Sequence, residues 1–472
     1  MNKKAIIIGA GVTGLSSGWK LAESGYKVKV IESNPFIGGM STTFKYKDYF
    51  LDLGPHKIFT VLPHINEEIR NLFEDDELLT VKKKSKVFLN KRYLNFPLTF
   101  KDIFIGLGIG KCSQCGFGYM FSILKNFYSR KIPISYEEWI IGKFGRPIYN
   151  MVLGPYAKKI WGPPEQLSGE LAVNRIAAPN IIEMVKQMIF KNKRKTIIIN
   201  ADTFHYPKNG AVEISNKMAQ KIRQNHGEIT VGTTIREIIF DDDLNINKLS
   251  YDNGQIEEMN THDVLISTIP LANLINLFSG FSSESIHSTV NELRSRNLIL
   301  FYVALDTDRI MEDNWLFFPE AKYRFNRIFE QKAFSPFMIS RGRTVLCVEI
   351  TCDTDDPIWQ SSDDEIYSLL EPQLREVNVI KGNVLETFTK RLTNAYPIYD
   401  IHYKDNLKLV LKELNRIHNI FSIGRQGGFS YTGMADSMDI GFSTAEFIIT
   451  NRNKSQEWLE YCEKFYNYVV ID

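Results

Sequence analysis

The sequence opens with a short apolar strand that runs directly into a Gly-x-Gly-x-x-Gly motif formed by Gly9, Gly11 and Gly14. An amphipathic helix follows, and the next apolar strand ends on Glu32, eighteen residues after Gly14. In such a unit the first glycine permits a tight turn, the second lets the backbone approach a pyrophosphate, and the third lets helix pack on strand. The helix N-terminus then faces the phosphates, and the acid accepts hydrogen bonds from ribose hydroxyls. The order of these parts predicts a dinucleotide-binding domain.

A second glycine pair, Gly38-Gly39, follows the acid and precedes Ser41 and two threonines. This arrangement resembles the loop of FAD-binding flavoproteins of the amine oxidase and glutathione reductase types. FAD extends beyond its pyrophosphate, so a second stretch of bare backbone is needed along it, and the three hydroxyls can donate to phosphate or ribitol. An acid at position 32 also disfavours a 2′-phosphate on the nucleotide. We therefore expect FAD as the cofactor; the other interpretation of the pair is an ordinary glycine turn.

Composition narrows the class of protein. Fifty-seven Lys and Arg residues against 55 Asp and Glu residues give a net charge of +2, which argues against a nucleic-acid binder. Five cysteines, few and odd in number, fit a reducing, cytoplasmic location. Cys112-x-x-Cys115 can be read as a redox or zinc motif, but it has no second pair at metal spacing, and we expect no metal site. The start of the chain reads as a strand rather than a secretory signal.

The order of patterns predicts an α/β fold: a Rossmann-type FAD-binding domain with a helical insertion and a sheet-based substrate domain. The FAD-binding domain is expected from residues 1–80, 201–295 and 416–472, the insertion from 81–200, and the substrate sheet from 296–415. No apolar run reaches the ~18 residues that a membrane-spanning helix needs. Contact of the insertion with a membrane surface is possible but not indicated. The helices expected in the insertion are Phe100–Leu107, Tyr119–Phe127, Tyr136–Phe144 and Ile181–Phe190.

Further motifs follow one another over nearly the whole chain: Asp52–Thr60, Tyr156–Gly162, Phe204–Gly210, Leu265–Leu271, Ala395–Tyr399 and Ile423–Tyr431. Together they resemble the UDP-galactopyranose mutase and protoporphyrinogen oxidase branch of the flavin amine oxidase superfamily. In the first motif the sequence reads Gly-Pro-His-Lys-Ile-Phe-Thr, so the second histidine of the mutase pattern, Gly-Pro-His-x-Phe-His-Thr, is missing. This difference weighs against a strict UDP-galactopyranose assignment.

The resemblance and the chemistry of the side chains together imply a set of site residues. Histidine beside the flavin can hydrogen-bond N5 or substrate, arginine forks suit phosphate oxygens, and tyrosines can stack on a base. The expected catalytic residues are His56, Arg327 and Arg425. The expected cofactor-binding residues are Gly9, Gly11, Gly14, Glu32, Gly38, Gly39, Ser41, Val231, Gly424, Arg425 and Met438. The expected substrate-binding residues are Tyr156, Arg175, Tyr206, Arg391, Tyr396 and Tyr431.

These residues lead to an expected activity and to its rivals. The preferred function is mutase-like flavin chemistry on a nucleotide- or lipid-linked sugar, and the alternative is an FAD-dependent oxidoreductase that transfers hydride from substrate to flavin. A third class is a catalytically silent flavin-binding protein. No second Gly-x-Gly-x-x-Gly motif follows residue 60, so an internal NAD(P)H domain is not expected. Reducing equivalents would then come from the small-molecule substrate, from an external reductant or from visiting NAD(P)H.

Overall fold

The computed structural model describes residues 3–96, 108, 110, 113–122, 133–175, 202–280 and 284–468. The predicted helix Tyr136–Phe144 is confirmed with the same bounds, and residues 113–122 are also helical. The other expected features of the insertion lie outside the described residues: the helices Phe100–Leu107 and Ile181–Phe190, the end of Tyr119–Phe127, and Cys112.

A parallel sheet carries the nucleotide-binding part of the fold. In the described chain it has five strands, in the order Ile420–Ser422, Val264–Ser267, Lys4–Ile8, Lys27–Glu32 and Glu228–Val231. The central strands are nearly continuous apolar runs, as expected where helices cover both faces of a sheet. Since these strands come from the start, the middle and the end of the chain, three separate stretches build one sheet.

The first helix, Val12–Glu23, packs against this sheet and against the helix Met434–Ile449. A Cβ atom at Gly18 would lie 3.0 Å from Ile7 Cδ1, and one at Gly441 would lie 2.0 Å from Ser16 Oγ. Glycine at these two positions therefore lets the helix approach both the strand and its neighbouring helix. As a result, the N-terminal ends of both helices line the same cavity.

A larger sheet faces the parallel one. Its seven described strands run in the order Val384–Pro397, Ser295–Leu305, Thr344–Cys352, Arg327–Glu330, Trp315–Phe317, Ser85–Leu89 and Arg92–Asn95. Along Ser295–Leu305 the side chains alternate between two cores: Leu298, Leu300 and Tyr302 join the core shared with the parallel sheet, and Ile299, Phe301 and Val303 join a second core beneath the helix Asp363–Glu376. The strands predicted around 298–305, 315–319 and 344–351 are thus confirmed.

One expectation is wrong at the start of the insertion. Residues 85–95, which we predicted within the helical lobe, form the hairpin Ser85–Leu89 and Arg92–Asn95 at the edge of the large sheet. Val87 and Leu89 point into one core and Phe88 into the other, which is the period of two that a strand requires. A run this short resembles a strand and a helix turn equally well until its partner strand is known.

The remaining elements complete the two lobes. A four-stranded sheet has the order Ile256–Glu258, Ile246–Tyr251, Ile235–Phe240 and Phe278–Ser279; Thr43–Tyr46 pairs with Tyr49–Asp52, and Leu78–Lys82 pairs with Thr203–Pro207. In the described ranges no helix is both long and apolar enough to cross a bilayer.

The α-helices of the described chain that have not yet been named are Pro63–Leu72, Arg146–Ile148, Gly154–Ile160, Gly169–Arg175, Glu213–Gln224, Leu271–Asn276, Glu284–Asn291, Pro357–Gln360, Tyr403–Asn415, Gly424–Gly427 and Lys454–Cys462.

Candidate cofactor and substrate site

A cavity of about 1020 Å³ lies between the carboxyl ends of the parallel strands and the inner face of the large sheet. One wall comes from the glycine loops that follow Ile8 and Glu32, and the other includes Leu298, Arg327 and Lys390. Open α/β sheets bind ligands at this edge of the strands. The cavity is therefore the candidate site for both a dinucleotide and a substrate.

Each glycine of the first loop has a different steric role. Gly9 has a φ of +103°, and a Cβ there would lie 2.3 Å from Thr268 Oγ1. A Cβ at Gly14 would lie 2.1 Å from the carbonyl oxygen of Gly9, so this glycine lets the helix pack on the turn. A Cβ at Gly11 would meet no atom of the described chain within 4 Å, because this residue faces the cavity. The bare backbone at Gly11 is what the approach of a pyrophosphate requires.

The second glycine loop packs on the first, backbone against backbone. Gly38 N–H donates to the carbonyl of Ala10 at 2.8 Å, and a Cβ at Gly39 would lie 3.2 Å from Gly11 Cα. Both glycines have positive φ, +107° and +55°, and both line the cavity together with Ser41. Two stretches of backbone thus lie side by side along the cavity, as the sequence predicts.

The two threonines after Ser41 differ from their expected role. Thr42 Oγ1 donates to the carbonyl of Ile37 at 2.8 Å, and Thr43 Oγ1 donates to Asp52 at 2.6 Å. Both hydroxyls are committed to holding the protein together, because the strand Thr43–Tyr46 begins here and pairs with the strand that ends at Asp52. Ser41, which lines the cavity, remains the candidate among the three for donation to phosphate or ribitol.

Glu32 is buried at the cavity wall and organises the loops around it. Its Oε2 accepts from Ala10 N–H at 2.9 Å, and its Oε1 accepts from Asn34 N–H at 2.9 Å and Asn34 Nδ2 at 2.8 Å. Ser33 Oγ also donates to Oε1 at 3.4 Å, whereas Oε2 has one donor among the described residues, so an acceptor position at Oε2 is left for a ribose hydroxyl. Val231 pairs with Glu32 on the neighbouring strand, but it is 41% exposed and does not line the cavity.

The C-terminal loop, residues 423–433, brings the end of the chain to the cavity. Arg425 donates from Nε and Nη2 to the carbonyl of Ala395 at 3.1 and 2.9 Å, and from Nη1 to the carbonyl of Thr432 at 2.7 Å. Two of its five donors therefore fix the loop to the large sheet, and a third ties the two ends of the loop together. Arg425, predicted to be catalytic and cofactor-binding, lines the cavity and is held at its wall by these hydrogen bonds.

The helix after this loop begins at Met434. Gly433 and Met434 line the cavity, and Asp436 caps the backbone N–H of Gly433 at 2.9 Å. Met438 is fully buried and Gly424 is buried under Thr13, so neither residue lines the cavity. The cofactor-facing part of this helix is its first turn, where the dipole is positive.

These features fit FAD. Two helix N-termini, two adjoining glycine loops and a buried acid converge on one cavity, which is the donor and acceptor set that a dinucleotide with two phosphates and a ribose needs. No side-chain hydrogen bond caps the N-terminus at Gly11 in the described chain. Gly11, Glu32, Gly38, Gly39 and Ser41 would hold the dinucleotide, and Gly433 and Met434 would face its far end.

His56 lines the cavity just after a turn at Gly54, whose φ is +97°. The ring is half-buried, and among the described residues its buried Nε2 has no hydrogen-bond partner. Burial lowers the pKa of His56, and the carboxylate of Asp52 opposes this effect. Its ordinary pKa is about 6.5, so the ring is largely neutral at pH 7.

Arg175, Tyr431 and Tyr396 form the aromatic and cationic part of the cavity wall. The guanidinium carbon of Arg175 lies 4.4 Å from the centre of the Tyr431 ring, and the rings of Tyr396 and Tyr431 stack with centres 5.9 Å apart. Arg327 forms a bidentate ion pair with Glu349 and lies 3.5 Å from the Tyr396 hydroxyl. The structure thus brings four of the predicted substrate and catalytic residues together.

Three other predicted substrate residues do not present their side chains to this cavity. Tyr206 is fully buried and hydrogen-bonds to Asp52 and Gln331. Tyr156 packs against the core shared with the parallel sheet, edge-on to Phe317. Arg391 borders the cavity, but its guanidinium donates to the carbonyls of Trp359 and Ser361 on the opposite face of the sheet.

Sequence reasoning missed Lys390 and Glu349. Phe388, Lys390 and Leu392 lie opposite Tyr302, Leu300 and Leu298, whose side chains all enter the inner core. Alternation along the strand Val384–Pro397 therefore places Lys390 on the cavity face and Arg391 on the other face. The pattern of apolar residues in this strand carried that signal, but Arg391 was chosen for its chemistry alone.

Comparisons with known proteins agree with this geometry. Residues 7–75 match the family model of an NAD(P)-binding Rossmann-like domain. The chain is 44% identical to a 1-hydroxycarotenoid 3,4-desaturase of Flavobacterium sp. (strain P99-3) over 85 residues, which are 18% of this chain and 17% of the desaturase. It is 21% identical to coproporphyrinogen III oxidase of Staphylococcus aureus (strain NCTC 8325 / PS 47), over 95% of this chain and 99% of that protein.

Solved structures share the fold over nearly the full length. The crystal structure of a reduced UDP-galactopyranose mutase has a TM-score of 0.82 at 20% identity, and covers 99% of this chain and 100% of its own. A putative protoporphyrinogen oxidase from Exiguobacterium sp. 255-15 has a TM-score of 0.73 at 17% identity, and covers 96% and 100%. The chain therefore contains an NAD(P)-binding Rossmann-like domain and shares its full-length fold with these two solved structures.

Proposed function

We propose that the chain acts on a nucleotide- or lipid-linked sugar by flavin chemistry of the UDP-galactopyranose mutase type. The observation that carries this proposal is the wall opposite the glycine loops, where Arg175 and Arg327 lie beside the stacked rings of Tyr396 and Tyr431. Guanidinium groups suit diphosphate oxygens, and the faces of tyrosine rings suit a base or a sugar.

FAD, when bound, would supply an electron-rich ring in its reduced form, as a mutase needs, and a hydride acceptor in its oxidised form, as an oxidoreductase needs. The first turn of Met434–Ile449 faces the cavity with its positive end, so negative charge near it is stabilised. His56 can hold or release a proton at Nε2. Arg425 holds the C-terminal loop against Ala395, and its guanidinium carbon lies 4.6 Å from the centre of the Tyr431 ring.

A second candidate is an oxidoreductase in which substrate gives hydride to the flavin. The alignment with coproporphyrinogen III oxidase, which spans 95% of this chain, favours it. Because the sequence has one Gly-x-Gly-x-x-Gly motif, the reductant or electron partner would be an external molecule or visiting NAD(P)H. Among the described residues Cys347, Cys352 and Cys462 are buried cysteines outside any disulfide, which fits a cytoplasmic setting for either activity.

The two candidate functions differ in whether the flavin changes its redox state and whether oxygen is consumed during turnover. FAD-loaded protein, reduced with dithionite, is incubated without oxygen with a panel of nucleotide sugars, and products are separated by ion-pair chromatography. The proposal expects an isomeric sugar product with no net flavin oxidation. Stoichiometric reduction of the oxidised flavin by coproporphyrinogen III, with oxygen consumption under air and no sugar product, would establish the oxidoreductase instead.

A further inference from the structure

Lys390 is a cation of the cavity wall that the described residues leave without an ion pair. In the described part of the chain its ammonium group forms no hydrogen bond or ion pair, and its nearest recorded partner is the Phe44 ring, 4.9 Å away. Both residues line the cavity, and Lys390 is exposed there. Phe44 follows the second glycine loop, so this position lies beside the cofactor-facing backbone.

The acids of the cavity are engaged elsewhere. Glu349 forms its ion pair with Arg327, Glu32 accepts from the backbone of its own loops, and Asp436 caps a helix. None of these carboxylates neutralises Lys390. An uncompensated ammonium at a cavity wall attracts anions and gains most when the partner is held by other contacts as well.

We propose that Lys390 determines specificity by binding an anionic group of the substrate, a phosphate or a carboxylate, at the Phe44 side of the cavity. The inference rests on the proposed function, because it assumes that substrate and cofactor share this cavity. It assigns to Lys390 the role that the sequence gave to Arg391, whose guanidinium is held on the other face of the same strand.

The test compares FAD-loaded wild type with two variants. Lys390→Met removes the proposed contact, and Arg391→Met removes the neighbouring charge as a control. Binding of UDP and, separately, of coproporphyrin III is measured by the change in flavin absorbance. We expect Lys390→Met to weaken the binding of whichever anion binds by about tenfold, because a charge-assisted contact is lost. The affinity of the variant should also depend less on salt concentration than that of the wild type. Arg391→Met should change binding less than twofold, and both variants should keep their FAD.

The ligand arms separate this inference from the proposed function. UDP binding that depends on Lys390 supports both. Coproporphyrin binding that depends on Lys390, without UDP binding, retains the inference and rejects the sugar. UDP binding that is unchanged in Lys390→Met, or weakened equally in Arg391→Met, overturns the inference and leaves the proposed function standing. Binding of neither anion to the wild-type protein overturns both.

Discussion

Arg327 and Glu349 lie opposite each other on neighbouring antiparallel strands, with Arg327 Nε and Nη2 donating to the two carboxylate oxygens at 2.8 and 3.0 Å. The Glu349 side chain is fully buried and that of Arg327 is 16% exposed. The pair therefore places an arginine at the cavity with its charge already balanced. A phosphate bound beside Arg327 would therefore meet a guanidinium whose charge is shared with Glu349.

Loss of Arg327 should consequently cost stability as well as binding. We expect Arg327→Met to lower the free energy of unfolding by about 3 kcal/mol, since an uncompensated buried carboxylate is left behind. The double variant Arg327→Met/Glu349→Met should recover most of that loss. Urea unfolding of the FAD-loaded proteins measures both values. An unchanged stability of the single variant would contradict the structural role of the pair.

Tyr206 should behave as a structural residue. Its hydroxyl hydrogen-bonds to Asp52 and accepts from Gln331 Nε2 at 3.0 Å, away from the cavity. We expect Tyr206→Phe to lower the free energy of unfolding by about 1–2 kcal/mol, the cost of an unmade buried hydrogen bond. Titration with UDP should give the wild-type affinity. Selective loss of UDP binding at unchanged stability would return Tyr206 to the substrate site.

Asp52 should control the titration of His56. Burial lowers the pKa of His56 and the Asp52 carboxylate raises it, so Asp52→Asn should lower the pKa of the imidazole further. Histidine NMR titration, with His56→Gln to assign the signal, measures this shift. Because burial disfavours the charged ring in the folded state, the unfolded chain takes up a proton at His56 more readily than the folded protein does. The free energy of unfolding therefore falls as pH drops below the ordinary histidine pKa of about 6.5. A rise of the pKa in Asp52→Asn would reverse this assignment.

Lys159 should make stability depend on alkaline pH. Its ammonium donates to the carbonyls of Phe318 and Glu320 at 2.6 and 2.8 Å, and burial lowers its pKa to about 7. Between that value and the unfolded pKa of about 10.4 the unfolded chain binds more protons, so this lysine's contribution to stability rises with pH by at most ~1.4 kcal/mol per unit.

The difference in unfolding free energy between wild type and Lys159→Met, followed from pH 7 to pH 10, isolates this effect. The wild-type curve should rise relative to the variant curve. Parallel curves would mean that Lys159 stays charged in the folded protein.

What the sequence could predict follows from how local each constraint is. Gly9, Gly11 and Gly14 act through a turn and one adjoining helix, so their spacing alone indicates their roles. Tyr206 and Thr43 are fixed by Asp52, a partner that only the fold brings to both of them.

The face of a sheet on which a strand residue lies can be predicted only in part from the sequence. Lys390 and Arg391 are neighbours in the sequence, and only the register of Val384–Pro397 against Ser295–Leu305 decides which of them faces the cavity. A shift by one residue would exchange them. The chemistry of arginine therefore drew attention to this strand, whereas the strand pairing shows which of the two residues faces the cavity.

The most direct measurement of the central claim is the FAD content of wild type, Gly11→Ala and the control Gly116→Ala. A Cβ at either glycine meets no atom of the described chain within 4 Å, so both variants should fold and melt like wild type. We expect about one FAD per chain in wild type and Gly116→Ala, and at least a tenfold loss in Gly11→Ala, where the methyl group occupies the pyrophosphate position. Equal FAD content in all three proteins, or a wild-type protein that takes up no FAD on reconstitution, would contradict the account.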